Sequence, residues 1–220
     1  MGLKSLYKLS EVKPRIFLLD FSDNYNLCMH FLRYQEYYES PSPKFRNHTF
    51  TIVDYMEWYS KTFGKGSFTY PVDWGGFNVP SYVLRNVLLA VSNGEITDPN
   101  KYDTEMQKVW LTCCNKYQDE NFYIIGSVGT EGSTMRHEIA HGFFYIIPEY
   151  KKEMTKLVKE LNPFFRKDFY ENLKVGGYTK QVYVDELQAY MATGTANFIN
   201  VKLNGSDKPF IQLYEEFYAE

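Results

Sequence analysis

The sequence predicts an α+β fold that is mostly helical and contains a small sheet. Two runs rich in β-branched and aromatic residues, Ile16–Phe21 and residues 122–129, have the composition of buried strands. Several longer stretches carry apolar residues at helical spacing between capping residues and Gly or Pro. The 220 residues suffice for one sizeable core, so we expect one domain over residues 1–220.

The first half of the chain is predicted to contain four helices as well as the two strands. Capping residues and apolar periodicity place them over about residues 24–38, 51–64, 81–94 and 98–117. Residues 68–80 contain too many Pro and Gly for a helix, although they carry much apolar surface. We expect an irregular aromatic loop there, which either lines a substrate cleft or is held on the core by its own rings.

The second half of the chain is predicted to be helical. Ser133 is a candidate cap for a helix that ends or kinks at Pro148. Further helices are expected over about residues 149–161, from Pro163 to the Gly176-Gly177 pair, and over about residues 179–191. Residues 137–141 therefore fall in the middle of a predicted helix.

Charge and composition argue against several classes of protein. The net charge of −3 comes from an even mixture of acidic and basic residues, so nucleic-acid binding has little electrostatic support. No stretch is long and apolar enough to cross a bilayer, and the opening residues lack the pattern of a secretory signal. Three cysteines do not form a disulfide framework. We expect a cytoplasmic protein with no membrane and no nucleic-acid partner.

The segment His137-Glu138-Ile139-Ala140-His141 carries the strongest chemical signal. Residues four apart share a helix face, so both histidines can bind one metal ion while Glu138 lies beside them. Such a string arises by chance in roughly 0.5% of comparable compositions. The alternative is two surface histidines with an accidental glutamate, but the apolar flank Gly142-Phe143-Phe144 indicates a buried helix, where unpaired imidazoles are unfavourable. Zinc is the predicted metal.

A catalytic zinc site needs a third protein ligand from elsewhere in the chain. The metzincin spacing is excluded, because Phe144 and Ile147 occupy the positions of the required Gly and His. Glu186 is the candidate, since the small and aromatic side chains three and four positions away form the likelier inward face. Its neighbour Asp185 points about 100° away and could instead accept a hydrogen bond from the free N–H of a ligating histidine.

These motifs resemble those of the gluzincins, zincin-fold metallopeptidases in which a Glu-x-x-Ala helix supplies the third ligand. Glu186-Leu187-Gln188-Ala189 matches that pattern, 45 positions after His141. The interval is similar to that of the lethal factor catalytic domain, and the ending resembles the ImmA/IrrE-type peptidases. The resemblance covers about residues 122–192, and Tyr190 stands where the ImmA/IrrE type has Asn or Asp. It implies a zincin-like fold around a His-Glu-x-x-His active-site helix.

The resemblance also implies a mechanism. Zinc lowers the pKa of its bound water and polarises the scissile carbonyl, while Glu138 acts as the general base. In lethal-factor-like enzymes a tyrosine shortly before the third-ligand helix stabilises the oxyanion; Tyr178 lies nearest to that place, and Tyr183 is the substitute. In zincins an edge strand pairs with the extended substrate, and residues 122–128 are the candidate.

We therefore expect a zinc metallopeptidase that hydrolyses peptide bonds in a peptide or protein substrate, with His137, His141 and Glu186 as metal ligands. Two alternatives stay open at the level of sequence. One is a non-catalytic or regulatory zincin-fold binding module, against which the intact Glu138 argues. The other is a toxin-like protease with one specific protein target.

Overall fold

The computed structural model describes residues 6–129 and 132–219, with every side chain except that of Phe198. These residues form two compact units, one that ends at residue 129 and one that begins at residue 132. The single domain expected from the sequence stays a prediction, since units of this size occur both as separate domains and as parts of one. The opening residues 1–5, used above to argue against a secretory signal, lie outside the described residues.

A four-stranded mixed sheet forms the centre of the first unit. Its strands are β1 (Tyr7–Lys13), β2 (Ile16–Phe21), β3 (Gly76–Pro80) and β4 (Tyr123–Val128). Their order in the sheet is β1-β2-β4-β3. β4 runs parallel to β2 and antiparallel to β3, while β1 and β2 form an antiparallel pair. The two strands expected from composition, β2 and β4, are therefore confirmed.

β4 lies inside the sheet, and the prediction that it is a substrate-binding edge strand is wrong. Its backbone pairs with β2 on one side and with β3 on the other. A strand that is paired on both sides has no free row of N–H and C=O groups for an extended peptide. Composition indicated a buried strand at this place in the chain, but the position of a strand within a sheet depends on its partners.

The predicted irregular loop over residues 68–80 contains regular structure. A short helix α3 (Tyr70–Asp73) precedes β3. Pro71 lies in the first turn of α3, where its missing N–H leaves no helical hydrogen bond unmade. Pro80 is the last residue of β3, the kind of position in which a sheet tolerates proline. Both prolines are therefore compatible with regular elements, and the expectation of an irregular loop is wrong.

Four longer helices complete the first unit and agree with the predicted ones to within a few residues. They are α1 (Asn24–Glu39), α2 (Ile52–Thr62), α4 (Ser81–Ser92) and α5 (Lys101–Tyr117). Asp23 rather than Asn24 caps α1, since its carboxylate accepts from the backbone N–H of Asn26 at 2.8 Å. Gly126 of β4 allows close packing of α1, because an added Cβ would lie 2.3 Å from the ring of Phe31.

The regular elements in the described residues of the second unit are all helices. It contains α6 (Ser133–Ile146), α7 (Pro148–Glu160), α8 (Pro163–Val175), α9 (Tyr183–Thr193), a short 3₁₀ helix (Ala196–Ile199) and α10 (Lys208–Ala219). α9 packs against α6, α7, α8 and α10, so the helix predicted to carry the third ligand forms the core of this unit. The 3₁₀ helix and α10 were not predicted.

Two helix starts differ from those expected. Gly132, with a φ of 109°, occupies the cap position of α6, so Ser133 is the first helical residue and does not cap the helix through its side chain. α9 begins at Tyr183, four residues later than expected, because residues 179–182 form a turn. Neither difference moves the predicted ligands out of their helices.

The described residues thus form an α+β fold with ten α-helices and one small mixed sheet, which confirms the predicted class. None of the helices in this part of the chain is both long and apolar enough to cross a bilayer.

Candidate metal centre

α6 carries two histidines on one face, one turn apart. The Nε2 atoms of His137 and His141 lie 3.2 Å from each other. The rings meet edge to face, with 4.8 Å between their centroids. His141 is buried and His137 is mostly buried. Two imidazole nitrogens therefore converge on one point, as the four-residue spacing predicts.

α9 brings a carboxylate to the same point. Glu186 Oε1 lies 3.6 Å from His141 Nε2, and its Oε2 lies 3.7 Å from His137 Nε2. Glu186 is buried. Ala140 on α6 and Ala189 on α9 are fully buried and small, which allows these two packed helices to approach closely. His137, His141 and Glu186 together form a group that could hold a metal ion.

Asp185 contacts the Nδ1 edge of the His141 ring, opposite the Nε2 atom that faces Glu186. Its Oδ1 lies 2.9 Å from His141 Nδ1. Burial alone would lower the pKa of His141, but the carboxylates of Asp185 and Glu186 outweigh burial and hold that pKa well above its usual value, and Glu138 adds to the rise. The adjacent acidic residues of α9 thus face two different nitrogens of the same ring.

A buried glutamine extends this arrangement. The Gln188 side-chain amide donates to Asp185 Oδ1 at 3.0 Å and to the backbone carbonyl of Ala140 at 3.3 Å. The hydroxyl of Tyr150, from α7, donates to Gln188 Oε1 at 2.9 Å. Neither Gln188 nor Tyr150 was expected at the site from the sequence. The available signal was a polar side chain three positions after Asp185 in a helix whose other residues are mostly apolar.

Glu138 is buried beside the histidines on α6. Its carboxylate contributes to the raised pKa of His141 and to that of Tyr190. Its charge therefore acts on groups from both helices of the site.

Tyr178 contacts Tyr190, and Tyr190 packs against His137. Its hydroxyl lies 3.1 Å from the hydroxyl of Tyr190. The ring of Tyr190 packs against His137, with 4.5 Å between ring centroids. Burial is the main cause of a raised pKa for Tyr190, to which the charge of Glu186 adds. The hydroxyl of Tyr178 therefore lies near the predicted metal ligands, while its catalytic role stays a prediction.

Tyr183 packs against α8. Its ring lies against Tyr170 of α8, with 5.0 Å between centroids. Both rings line an open groove of about 620 Å³ with side chains from α8 and from the segment that leads into α9. The structure thus gives the substitute tyrosine a packing contact on α8.

Two polar atoms at the centre have no hydrogen-bond partner among the described residues, although both are buried. They are Glu186 Oε2 and His137 Nδ1. Buried polar atoms are nearly always satisfied by protein groups, water or ions. A cation bound between the three side chains would satisfy Glu186 Oε2, whereas His137 Nδ1 points to the other edge of its ring.

Comparison with protein-family models, curated proteins and solved structures found no match. The resemblance of residues 122–192 to the gluzincins accordingly stays a prediction from their motifs.

Proposed function

We propose that this chain is a zinc metallopeptidase with a zincin-like fold, and that His137, His141 and Glu186 hold the metal. The observation that carries the proposal is the convergence of these three side chains, from two helices, with Glu138 next to them. Two histidines, one carboxylate and an adjacent glutamate are one of the sets of groups with which proteins carry out metal-assisted hydrolysis.

The spacing of the ligand atoms supports a tetrahedral metal. Zinc–ligand distances near 2.0–2.1 Å at tetrahedral angles put neighbouring ligand atoms about 3.3 Å apart. The two histidine Nε2 atoms are 3.2 Å apart, and each lies 3.6 or 3.7 Å from a different oxygen of the Glu186 carboxylate. A rotation of that carboxylate that turns one oxygen towards both nitrogens would approach the required spacing.

The donor set favours zinc over the hard divalent cations. Calcium and magnesium take oxygen ligands in six-fold or higher coordination, whereas two of the three donors here are imidazole nitrogens. Imidazole suits zinc and other late transition metals. Three protein ligands also leave a position for water or substrate, as in catalytic rather than structural zinc sites.

The residues of the chain have distinct roles in the proposed reaction. When bound, zinc supplies Lewis-acid chemistry, lowering the pKa of water and polarising a carbonyl. Glu138 takes the proton from the attacking water and delivers it to the leaving amine. Asp185 holds the N–H of His141 Nδ1, which directs Nε2 towards the metal. Tyr178 is the proposed donor to the oxyanion.

The proposed substrate is a peptide or protein, and the proposed compartment is the cytoplasm. The three cysteines are free, which suits a reducing compartment. We propose no nucleic-acid partner, because the acidic and basic residues of the chain nearly balance.

The experiment that tests this function combines metal analysis with a search for cleavage products. Freshly purified protein is expected to contain one zinc per chain by elemental analysis. The zinc-loaded protein is then incubated with a cytoplasmic protein extract and with a peptide library, and new N-termini are identified by mass spectrometry. Glu138→Gln is the inactive variant, and Glu149→Gln, on the exposed first turn of α7, is the matched control.

New termini that appear with the parent and with Glu149→Gln but not with Glu138→Gln would support the peptidase. Cleavage confined to one protein of the extract would identify the single-target alternative. Zinc binding without any cleavage would favour the non-catalytic binding module, and a protein without any transition metal would overturn the proposed site.

A further inference from the structure

We propose that Gln188 is a positioning residue of the metal centre, which holds the Asp185 carboxylate so that His141 presents Nε2 to the metal. This inference rests on the proposed function, because it concerns the same site. Gln188 is not one of the predicted ligands; it acts on the metal through Asp185 and His141.

The orientation of the Gln188 amide is determined by its neighbours. Tyr150 donates to Oε1, while Nε2 donates to Asp185 Oδ1 and to the Ala140 carbonyl. A rotated amide would place its oxygen against a carboxylate and a carbonyl, which are both acceptors. Both amide hydrogens and the amide oxygen are thus used in one arrangement only, and the side chain is completely buried.

The fixed amide restricts the carboxylate that it contacts. Asp185 Oδ1 lies 3.0 Å from Gln188 Nε2 and 2.9 Å from His141 Nδ1. Because the carboxylate accepts on one oxygen from both groups, it has little freedom to turn away from the imidazole. A hydrogen bond from Nδ1 sets the tautomer in which Nε2 carries the lone pair that a metal requires.

The same side chain joins three helices next to the ligands. Ala140 precedes His141 on α6, Tyr150 belongs to α7, and Gln188 follows Glu186 by two positions on α9. Its hydrogen bonds therefore hold the α6 and α9 backbones in register where they supply ligands. A buried network in which every member is satisfied gives a unique arrangement, which is what a preorganised metal site needs.

Gln188→Met tests the proposal, because it keeps the length and burial of the side chain but removes the hydrogen bonds. We expect zinc affinity to fall by about 10- to 100-fold, the usual range for loss of a group that orients a ligating histidine. Tyr150→Phe, which keeps the ring and removes the donor to Gln188, is expected to lower affinity by less. The matched control is Tyr214→Phe, which removes another tyrosine hydroxyl that donates to an α6 carbonyl, that of Arg136, at 3.1 Å.

The decisive comparison is a double-mutant cycle with Asp185→Ala, which removes the acceptor shared by Gln188 and His141, measured as zinc affinity by competition with a chromophoric chelator. If Gln188 acts through Asp185, then Gln188→Met changes zinc affinity less than about twofold in the Asp185→Ala background. The visible spectrum of the cobalt-substituted protein is a second readout, which should change in Gln188→Met and Tyr150→Phe but not in Tyr214→Phe.

Each outcome decides the inference. Full zinc affinity and an unchanged cobalt spectrum in Gln188→Met would overturn the positioning role and leave the proposed function intact. Additive losses in the double variant would show that Gln188 only stabilises the helices. If Gln188→Met does not fold, the same criteria apply to Tyr150→Phe. A parent protein that binds neither zinc nor cobalt would instead overturn the proposed function, and this inference with it.

Discussion

The ring of Tyr190 packs 4.5 Å from the ring of His137, measured between centroids. The two histidines of the centre are therefore held by different means. His141 has the carboxylate of Asp185 at its Nδ1, whereas Nδ1 of His137 has no hydrogen-bond partner in the described part of the chain. Aromatic packing on His137 thus takes the place that a hydrogen bond has at His141, the other predicted ligand.

This difference predicts the effect of substitutions at Tyr190. Tyr190→Leu removes the ring that packs on His137, and zinc affinity should fall about 3- to 10-fold, the equivalent of one aromatic pair. Tyr190→Phe keeps the ring and should retain zinc affinity within about twofold. Competition with a chromophoric chelator measures both. Equal affinities for Tyr190→Leu and the parent would show that packing does not orient this ligand.

The two neighbouring acidic residues of α9 should differ in their effect on zinc. Glu186→Ala removes a predicted ligand and should lose most of the bound zinc on dialysis. Asp185→Ala removes only the partner of His141 Nδ1, and should weaken binding about 10- to 100-fold. Zinc content after dialysis and the affinity of reconstituted protein test the order. Unchanged zinc retention by Glu186→Ala would place the third ligand elsewhere.

Tyr178→Phe should lower turnover of an identified substrate by about 10²- to 10³-fold, because the oxyanion would lose its proposed donor. Zinc content should not change. The hydroxyls of Tyr178 and Tyr190 also contact each other. Tyr190→Phe is therefore the control, because it removes this contact and keeps the hydroxyl of the proposed donor. Similar kcat values for the two variants would show that the loss of turnover comes from the broken contact between the tyrosines rather than from a missing donor to the oxyanion.

A buried carboxyl of the first unit should make stability depend on pH. Burial raises the pKa of Glu36 to about 7 from a usual value of 4.5, and the hydroxyls of Tyr55 and Tyr70 oppose the rise only in part. The folded state keeps this proton to higher pH than the unfolded state does. The contribution of protonated Glu36 to the free energy of unfolding is therefore fully present below about pH 4.5 and is lost as the pH rises through about 7.

Glu36→Gln should remove this dependence, since the amide does not titrate. Relative to the variant, the parent should lose about 3 kcal/mol of unfolding free energy between about pH 4.5 and pH 7. Urea unfolding at a series of pH values measures the difference. Parallel pH profiles for the two proteins would contradict it; Glu39→Gln, on the half-exposed end of α1, is the matched control.

The helical spacing of His137 and His141 is a local property, so the sequence by itself determined that the two imidazoles share a face. The composition of β2 and β4 likewise indicated strands, because continuous burial selects β-branched and aromatic residues. Glu186 was predicted as the third ligand in the same way, from the small and aromatic residues near it on one helix. Each of these features depends on neighbours within a few positions in the chain.

The tertiary structure alone decided where those elements lie. β4 became an inner strand because β3 formed from residues whose Pro and Gly content indicated a loop. Gln188 joined the surroundings of the site because Tyr150 and Ala140, 38 and 48 positions away, supply its hydrogen-bond partners. A helix periodicity specifies which residues face inwards, but hydrogen-bond partners from other helices are specified only when packing brings distant parts of the chain together.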